Sequence, residues 1–213
     1  NTLSIINSFG NQISKVVSGK DNGIYDAMNK GIKLSSGDII GMLNSDDIIA
    51  SDSVVSDIVY NFSKDIDFVY GDLTYFKGNN SKKIIRTYST KHFKKTMLKF
   101  GITIPHPTFY VRRAKQLEVG YYDTSYRVAA DFDMIARFFV NQFNFKRIPI
   151  NFVKMRLGGI STTGFLWILH QNLEIIRACK LNGIYTNILF LLIKIPYKLF
   201  AYLNTHLYSN DPK

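Results

Sequence analysis

The run from Ile39 to Leu43 constrains the fold of this chain more than any other feature of its sequence. It is short and continuously apolar, and it follows a stretch with helical spacing of apolar residues that ends at Gly37. A run of this kind is typical of a strand that is buried on both faces of a parallel sheet. The sequence therefore predicts an α/β fold, in which flanking helices alternate with short strands of a mostly parallel sheet.

The rest of the chain extends this alternation and adds a hairpin, which makes the predicted sheet mixed. Apolar spacing, cap residues and turn residues predict, in the first part of the chain, a helix over 2–9, a strand over 13–17, a helix from Asp21 or Asn22 to Leu34 and the strand 39–43. A helix capped by Ser51 follows, with Val54, Val55, Ile58 and Val59 inward, and then a strand over 68–70 and a hairpin of 73–76 with 82–88. The remainder is predicted as a basic helix over 91–99, a strand over 108–111, a helix over 129–141, an extended segment within 144–156 and helices from 166 to about 203. We find neither an internal repeat nor a low-complexity linker. Two parts are predicted, a domain over 1–165 and a C-terminal helical tail over 166–213.

Composition excludes a disordered chain and leaves several partners open. Hydrophobic residues make up 46% and charged residues 20% of the 213 residues, which is ordinary for a globular protein. The net charge of +11 fits nucleic acid, an anionic membrane, phosphorylated substrates or simply a solvated basic surface. Because the sequence lacks a recognisable nucleic-acid-binding motif, we expect no nucleic-acid partner. The single cysteine, Cys179, fits a reducing cytoplasm, and its apolar surroundings in the sequence predict packing.

The segment 186–203 is the most apolar part of the chain. Its run over 188–200 is interrupted by Lys194, Pro196 and Lys198, so it does not reach the ~20 apolar residues of a membrane-spanning helix. This composition suits peripheral contact with an anionic membrane. Packing against the domain, or against a partner helix, explains it equally well.

The first candidate site follows the strand 39–43 directly. Asn44, Ser45, Asp46 and Asp47 come at the carboxyl end of that strand, which is where open α/β sheets bind ligands. Adjacent carboxylates repel each other unless a cation lies beside them, and Mg²⁺ or Mn²⁺ binds such oxygens and bridges to phosphates. The alternative is an ordinary turn or helix cap.

A second candidate site lies at the start of the helix 129–141. Asp131 and Asp133 either complement the helix dipole or supply a general base. Because they are two residues apart, they point to different faces of the helix, and at most one of them faces a site. His106 could contact a phosphate or an acceptor, or it is a structural turn residue. The segment 158–161 is either a loop that closes on a phosphate or sugar, or a plain turn.

Several blocks of this sequence resemble family 2 glycosyltransferases, which build bacterial cell-surface polysaccharides, lipopolysaccharide among them. The longest block runs from Asp21 through Ile32 and continues with Ser36-Gly37-Asp38 and Leu43-Asn44-Ser45-Asp46-Asp47. Later blocks are His106-Pro107-Thr108-Phe109, Gly120-Tyr121-Tyr122-Asp123 and Ala130-Asp131-Phe132-Asp133. The resemblance covers about residues 1–165 and implies the GT-A fold, a Rossmann-like sheet with flanking helices.

The resemblance also implies a metal site and a base. Asp47 resembles the last acid of a D-x-D-type motif, a direct ligand of Mg²⁺ or Mn²⁺. Asp46 fills the middle position and Ser45 replaces the first acid, so either carboxylate could bind the metal. Asp131 resembles the catalytic base of inverting members, although Ala130 stands where Glu is often found.

The remaining implied roles concern the substrates. Asp21, near the nucleoside, and Lys30, near the diphosphate, are expected to bind a nucleotide-sugar donor together with Asn44 and Asp46. The donor implied is a UDP-linked hexose, and the acceptor is a glycan or a polyprenyl-diphosphate-linked glycan. We expect the protein in the cytoplasm, at the inner face of the cell membrane, where its charge suits anionic lipid.

One departure from the family concerns the N-terminus. Family members begin with a strand–helix–strand unit, which needs about 30 residues or more, and Asn1 resembles the position just after it. We therefore expect this unit to be missing, and we expect the 213-residue chain alone to bind nucleotide weakly. The rival interpretations are an inactive truncated remnant, a basic membrane-surface binding protein and, last, a nucleic-acid binder.

Overall fold

The computed structural model describes residues 2–157 and 165–194, and it consists of a mixed sheet with helices on both faces. The α-helices are Thr2–Ser8 (α1), Ile24–Leu34 (α2), Val54–Asn61 (α3), Arg113–Val119 (α4), Ala130–Val140 (α5), Phe165–Leu181 (α6) and Ile188–Leu192 (α7). The strands are Ile39–Gly41 (β1), Ile48–Ile49 (β2), Phe68–Phe76 (β3), Ile84–Tyr88 (β4), Phe109–Arg112 (β5) and Phe145–Arg156 (β6). Short 3₁₀ helices cover Gly10–Gln12, Lys95–Phe100 and His106–Thr108.

The sheet has the strand order β1-β5-β3-β6-β2, and β4 pairs with β3 as the predicted hairpin. The predicted mixed α/β class is confirmed, but the expected predominance of parallel pairs is wrong for the described strands. Only β3 and β6 pair in parallel, whereas β1–β5, β3–β5, β3–β4 and β2–β6 are antiparallel. A parallel neighbour needs a crossover connection, usually an α-helix. Here β5 follows two 3₁₀ helices and returns antiparallel between β1 and β3.

Three local predictions differ from the structure. Residues 13–17 form a bend followed by irregular chain and pair with no strand, and Val16 and Val17 are exposed. The position before α2 is taken by Gly23, at φ 110°, where no side chain caps the helix. The predicted basic helix over 91–99 is the 3₁₀ helix Lys95–Phe100.

The two faces of the sheet carry separate apolar cores. On one face, the buried ring of Phe68 packs against Phe109, Phe138, Phe139 and Phe145, with centroids 5.1–5.6 Å apart. The helices α2, α5 and α6 contribute to this core. On the other face, α3 buries Val54 and Ile58 against β3 and β6. The sequence prediction that Val55 and Val59 also face inward is wrong, since both are more than half exposed.

The helix α6 packs on the same core as α5, although the sequence assigned it to a tail. Ile175, Ala178 and Cys179 are buried there. Burial raises the pKa of the Cys179 thiol to about 11, which agrees with the predicted packing role. The boundary after residue 165 stays a prediction. Residues 158–164 and 195–213, which hold the loop 158–161 and much of the apolar segment 186–203, lie outside the described residues.

Candidate functional site

The carboxyl end of β1 and the amino end of β5 lie at the same edge of the sheet. The two strands are antiparallel with Gly41 opposite Tyr110, so β1 ends where β5 begins. Contact there requires glycine, because a Cβ on Gly41 would lie 2.1 Å from Cε1 of Tyr110. The acidic loop Asn44–Asp47 leaves β1 at this edge, and His106 leads into β5. The fold therefore gathers two separate sequence motifs at one edge.

Within the acidic loop, Asp47 is the buried carboxylate and Asp46 the exposed one. Asp47 is 7% exposed, and its N–H donates to the Asn44 carbonyl oxygen at 3.1 Å. Asn44 Nδ2 donates to Asp47 Oδ2 at 3.0 Å. Asp47 Oδ1 is buried and has no hydrogen-bond partner among the residues that the structure describes. Burial raises the pKa of Asp47, the hydrogen bond from Asn44 lowers it, the charge of Asp46 raises it, and the backbone N–H of Arg156, which makes no hydrogen bond of normal geometry to the carboxylate, lowers it.

These features fit a divalent cation. A buried carboxylate oxygen without a partner is costly, and a hard cation would supply the missing interaction. In the described ranges, no group of three or more His, Cys, Asp or Glu side chains converges on a metal position. Asp46 and Asp47 would therefore supply only part of the coordination shell of Mg²⁺ or Mn²⁺, and other oxygens would complete it.

The structure brings Asp21 and Lys30 together on the side of α2 that faces residues 14–21. Lys30 Nζ lies 2.5 Å from Asp21 Oδ1 and 3.1 Å from Asp26 Oδ2. The hydrogen bond to Asp21, followed by that to Asp26, raises the pKa of Lys30, so the ammonium group stays charged. Asp21 and Lys30 line a groove of about 600 Å³. Their role in donor binding stays a prediction.

The two acids at the start of α5 lie in different environments. Asp133 is buried, and it accepts hydrogen bonds from Arg137 Nε at 3.0 Å and Asn182 Nδ2 at 2.9 Å. Asp131 Oδ1 accepts from the N–H of Phe132 at 2.7 Å. Both oxygens of Asp133 are thus engaged in holding α5 and α6 in place. Asp131 is the acid that fits a chemical role.

Burial and a neighbouring imidazole set the protonation of Asp131. Burial raises the pKa of the Asp131 carboxyl, and the charge of His106 and the N–H of Phe132 lower it in part. Burial lowers the pKa of His106, and the charge of Asp131 raises it in part. The site therefore pairs a neutral imidazole with a carboxylate that is more basic than an exposed aspartate.

Tyr122 holds His106 in this site. The Tyr122 hydroxyl lies 2.7 Å from His106 Nε2, and the two rings meet edge to face with centroids 5.6 Å apart. Burial and the charge of Asp131 raise the pKa of Tyr122, so its hydroxyl stays protonated. Which of the two groups donates depends on the tautomer of the imidazole.

The helix α2 supports Tyr122 from its other face. Asn29 exchanges two hydrogen bonds with the Tyr122 backbone, each 2.8 Å long. Tyr25 stacks on Tyr122 with ring centroids 5.9 Å apart, and its hydroxyl donates to the Val128 carbonyl oxygen at 2.6 Å. The sequence did not predict this supporting role of Asn29 and Tyr25. Their only signal is the spacing of four along a helix, which any buried helix face shows.

A family model described as "Glycosyl transferase family 2" matches residues 1–119, more than half of the chain. The chain belongs to glycosyltransferase family 2. The matched region contains the acidic loop, Asp21, Lys30 and His106, but it ends before Asp131.

Curated relatives agree with this family. The "PGL/p-HBAD biosynthesis glycosyltransferase" of Mycobacterium bovis is 29% identical over 148 residues, which are 66% of this chain and 54% of the relative. A protein of the same description from Mycobacterium tuberculosis matches equally. The chain thus spans about half the length of the curated relatives it matches.

Solved structures share the fold at low sequence identity. The structure of S. aureus TarS 1–349 in complex with UDP-GlcNAc aligns with a TM-score of 0.54 at 14% identity, covering 85% of this chain and 52% of the TarS 1–349 chain. The mannosyltransferase PcManGT from Pyrobaculum calidifontis, in complex with GDP-Man and Mn²⁺, aligns with a TM-score of 0.55 at 11% identity, covering 83% and 50%. This likeness confirms the GT-A fold. None of the helices in the described ranges is long and apolar enough to cross a membrane.

Proposed function

We propose that this chain carries the catalytic centre of a glycosyltransferase that moves a hexose from a UDP-linked donor to a hydroxyl group of a glycan or lipid-linked acceptor. The family supports the transfer reaction, and the structural neighbours in complex with UDP-GlcNAc and GDP-Man support a nucleotide-sugar donor. The observation that carries the proposal is the contrast between the two acids of α5. Asp133 is held by Arg137 and Asn182, whereas Asp131 lies beside His106 with a raised pKa.

In the proposed mechanism Asp131 takes the proton of the acceptor hydroxyl as that oxygen attacks the anomeric carbon. A raised pKa makes Asp131 a more effective base near neutral pH. The His106 imidazole, neutral and held by Tyr122, adds no positive charge that would weaken this base. One direct displacement inverts the configuration of the sugar and leaves the nucleoside diphosphate.

Asp46 and Asp47 would hold Mg²⁺ or Mn²⁺, with Asn44 fixing the orientation of Asp47 through its amide. The cation would supply charge neutralisation at the leaving diphosphate. Lys30 is a charged group on the same helix as Tyr25 and Asn29, and it would bind a phosphate oxygen after exchanging its contact with Asp21. The Mn²⁺ in the mannosyltransferase complex supports a divalent ion here as well.

For the acceptor we infer a glycan on a polyprenyl diphosphate carrier, reached from the cytoplasmic face of the membrane. The net charge of +11 supports contact with anionic lipid. The 3₁₀ helix Lys95–Phe100 packs against α7. Exposed lysines lie just before and at the start of this 3₁₀ helix, and Leu189 and Leu192 of α7 are exposed.

A donor screen tests the proposed function. The protein encoded by the complete gene is incubated with UDP-hexoses, UDP-N-acetylhexosamines and GDP-mannose, with Mg²⁺, Mn²⁺ or EDTA, and nucleotide release is measured. We expect metal-dependent release from a UDP donor. Asp47→Asn should weaken metal-dependent donor binding at least about tenfold, whereas Asp65→Asn, an exposed substitution of the same kind, should not.

The outcome also separates the rival functions. A folded protein that releases no nucleotide from any donor would contradict the proposal and favour an inactive remnant. Lipid binding without turnover would favour the basic membrane-surface protein.

A further inference from the structure

The buried side chain of Glu174 on α6 binds the backbone immediately ahead of α5. Its Oε1 accepts the N–H of Arg127 at 2.8 Å, and its Oε2 accepts the N–H groups of Val128 and Ala129 at 2.8 and 2.9 Å. Three charge-assisted hydrogen bonds therefore join two segments that lie 45 or more residues apart in sequence. The chain has only one other glutamate, Glu118, which is exposed.

This contact lies just ahead of α5, which has no side-chain cap. Ala129 occupies the N-cap position, and no side chain there bonds to the first turn. The start of a helix presents N–H groups without intrahelical partners and favours a negative charge. Glu174 supplies that charge from a neighbouring helix. Asp131 is the second residue of α5, so the position of its carboxylate depends on this junction.

Further contacts from α6 hold the same junction. Arg177 Nη2 donates to Ser125 Oγ at 2.8 Å, and its guanidinium lies 4.5 Å from the ring centroid of Tyr126. Asn182, the residue directly after α6, donates to Asp133 in the first turn of α5. The loop before α5 and the first turn of α5 are therefore both held by α6 and the residue that follows it.

We propose that Glu174 is a positioning residue for transfer, which fixes the first turn of α5 and places a second negative charge beside Asp131. The inference rests on the proposed role of Asp131 as the base. The proposed role of Glu174 gives α6 a part in catalysis. The sequence pattern predicted only a helical tail in this region.

The charges around the two carboxylates give this role a distinct signature. Asp131 faces Glu174 from α6 and His106 from the turn before β5, and the hydroxyls of Tyr25 and Tyr122 lie nearby. Burial raises the pKa of Asp131 most, the charge of His106 lowers it, and the charge of Glu174 raises it by a smaller amount. On its own helix Glu174 has His170, whose Nε2 lies 3.0 Å from Oε1. Removing the charge of Glu174 should therefore make Asp131 less basic, which a purely structural contact would not do.

The test compares Glu174→Gln, Glu174→Asp and the control Glu118→Gln in the protein encoded by the complete gene. Glu174→Gln should lower kcat about tenfold or more, because misplacing a catalytic group by about 1 Å can cost ~100-fold. The KM for the donor should change less than about twofold, because the substitution does not touch the contacts that bind the donor equally well in the ground state and the transition state. The acidic limb of the pH profile should move to lower pH. Glu174→Asp, which keeps the charge and loses reach, should lower kcat and leave the limb in place.

Each variant is assayed at a temperature where its circular dichroism matches that of the wild type. The inference is overturned if a folded Glu174 variant keeps the wild-type kcat, or if Glu174→Gln leaves the acidic limb unchanged. Failure of the proposed function looks different, because Asp131→Asn would then retain turnover. If Asp131→Asn is inactive while the Glu174 variants are normal, only the positioning role is wrong.

Discussion

Asp131 and Asp133 stand two positions apart at the start of α5, and their neighbours separate them. The sequence could say only that they point to different faces of the helix. The structure adds that Arg137 and Asn182 bind both oxygens of Asp133, while Asp131 lies beside His106. A carboxylate that is paired with arginine and amide donors is held for stability, whereas a partly buried one that interacts electrostatically with an imidazole suits proton transfer.

The raised pKa of Asp131 predicts the pH dependence of the reaction. The base must be deprotonated, so activity is lost as pH falls through its pKa. Because burial raises that pKa, the loss should begin at higher pH than for an ordinary aspartate with a pKa of about 3.9. The measurement is kcat/KM against pH. A midpoint at or below the ordinary value would contradict the assigned environment.

The hydrogen bond between Tyr122 and His106 can be tested with a neighbouring control. Tyr122→Phe removes the hydroxyl that is hydrogen-bonded to the partly buried His106 Nε2, and the adjacent Tyr121→Phe removes an exposed one. We expect the free energy of unfolding to fall by about 1–3 kcal/mol in the first variant. The second should stay near wild type. Equal effects in urea denaturation would show that the buried hydrogen bond is not the cause.

Among the elements, α3 shows that contact with the sheet determines which face of a helix is buried. Val54 is 1% exposed and Val55 is 55% exposed, although the sequence predicted both to face inward. Apolar residues occupy more of the circumference of α3 than the sheet covers. The sequence pattern alone therefore could not predict which of these residues are buried.

The same substitution at the two positions should give different results. Val54→Ala should lower the free energy of unfolding by about 2 kcal/mol, because it removes buried methyl groups and leaves a cavity. Val55→Ala should change it by less than ~0.5 kcal/mol. Thermal or urea unfolding measures both. A larger loss for Val55→Ala would mean that this face of α3 is covered in the complete protein.

At the scale of the whole molecule, local patterns predicted the acidic loop and most of the helices and strands, but not β2 or α4. These features could be predicted because the patterns that indicate them, as at Ile39–Leu43 and Asn44–Asp47, extend over only a few consecutive residues. The direction of β5 was not predictable in this way, since it depends on a connection through 3₁₀ helices that have no apolar period. The contact of Glu174 with residues 127–129 joins distant segments, and no sequence period marks it. Whether a strand–helix–strand unit precedes residue 1 stays a prediction.

The charge of the whole chain predicts selective binding to anionic membranes. The exposed residues Lys91, Lys94 and Lys95 lie just before and at the start of the 3₁₀ helix that packs against α7, and each contributes about 1 kcal/mol near an anionic surface. Replacing all three by alanine should weaken binding to phosphatidylglycerol-containing vesicles at least about tenfold. The same replacement of Lys77, Lys82 and Lys83 beside the β3–β4 turn is the control. Co-sedimentation that falls equally for both triples would indicate a general charge effect without a defined surface.

The central claim is that Asp131 is the base of a sugar-transfer reaction, and turnover of Asp131→Asn in the protein encoded by the complete gene tests it most directly. With the donor and metal found by the screen, we expect kcat to fall about 100-fold or more. Donor affinity, measured by calorimetry, should stay near that of the wild type and of Asp65→Asn. A folded Asp131→Asn variant with near-normal kcat would contradict the claim and remove Asp131 from the reaction.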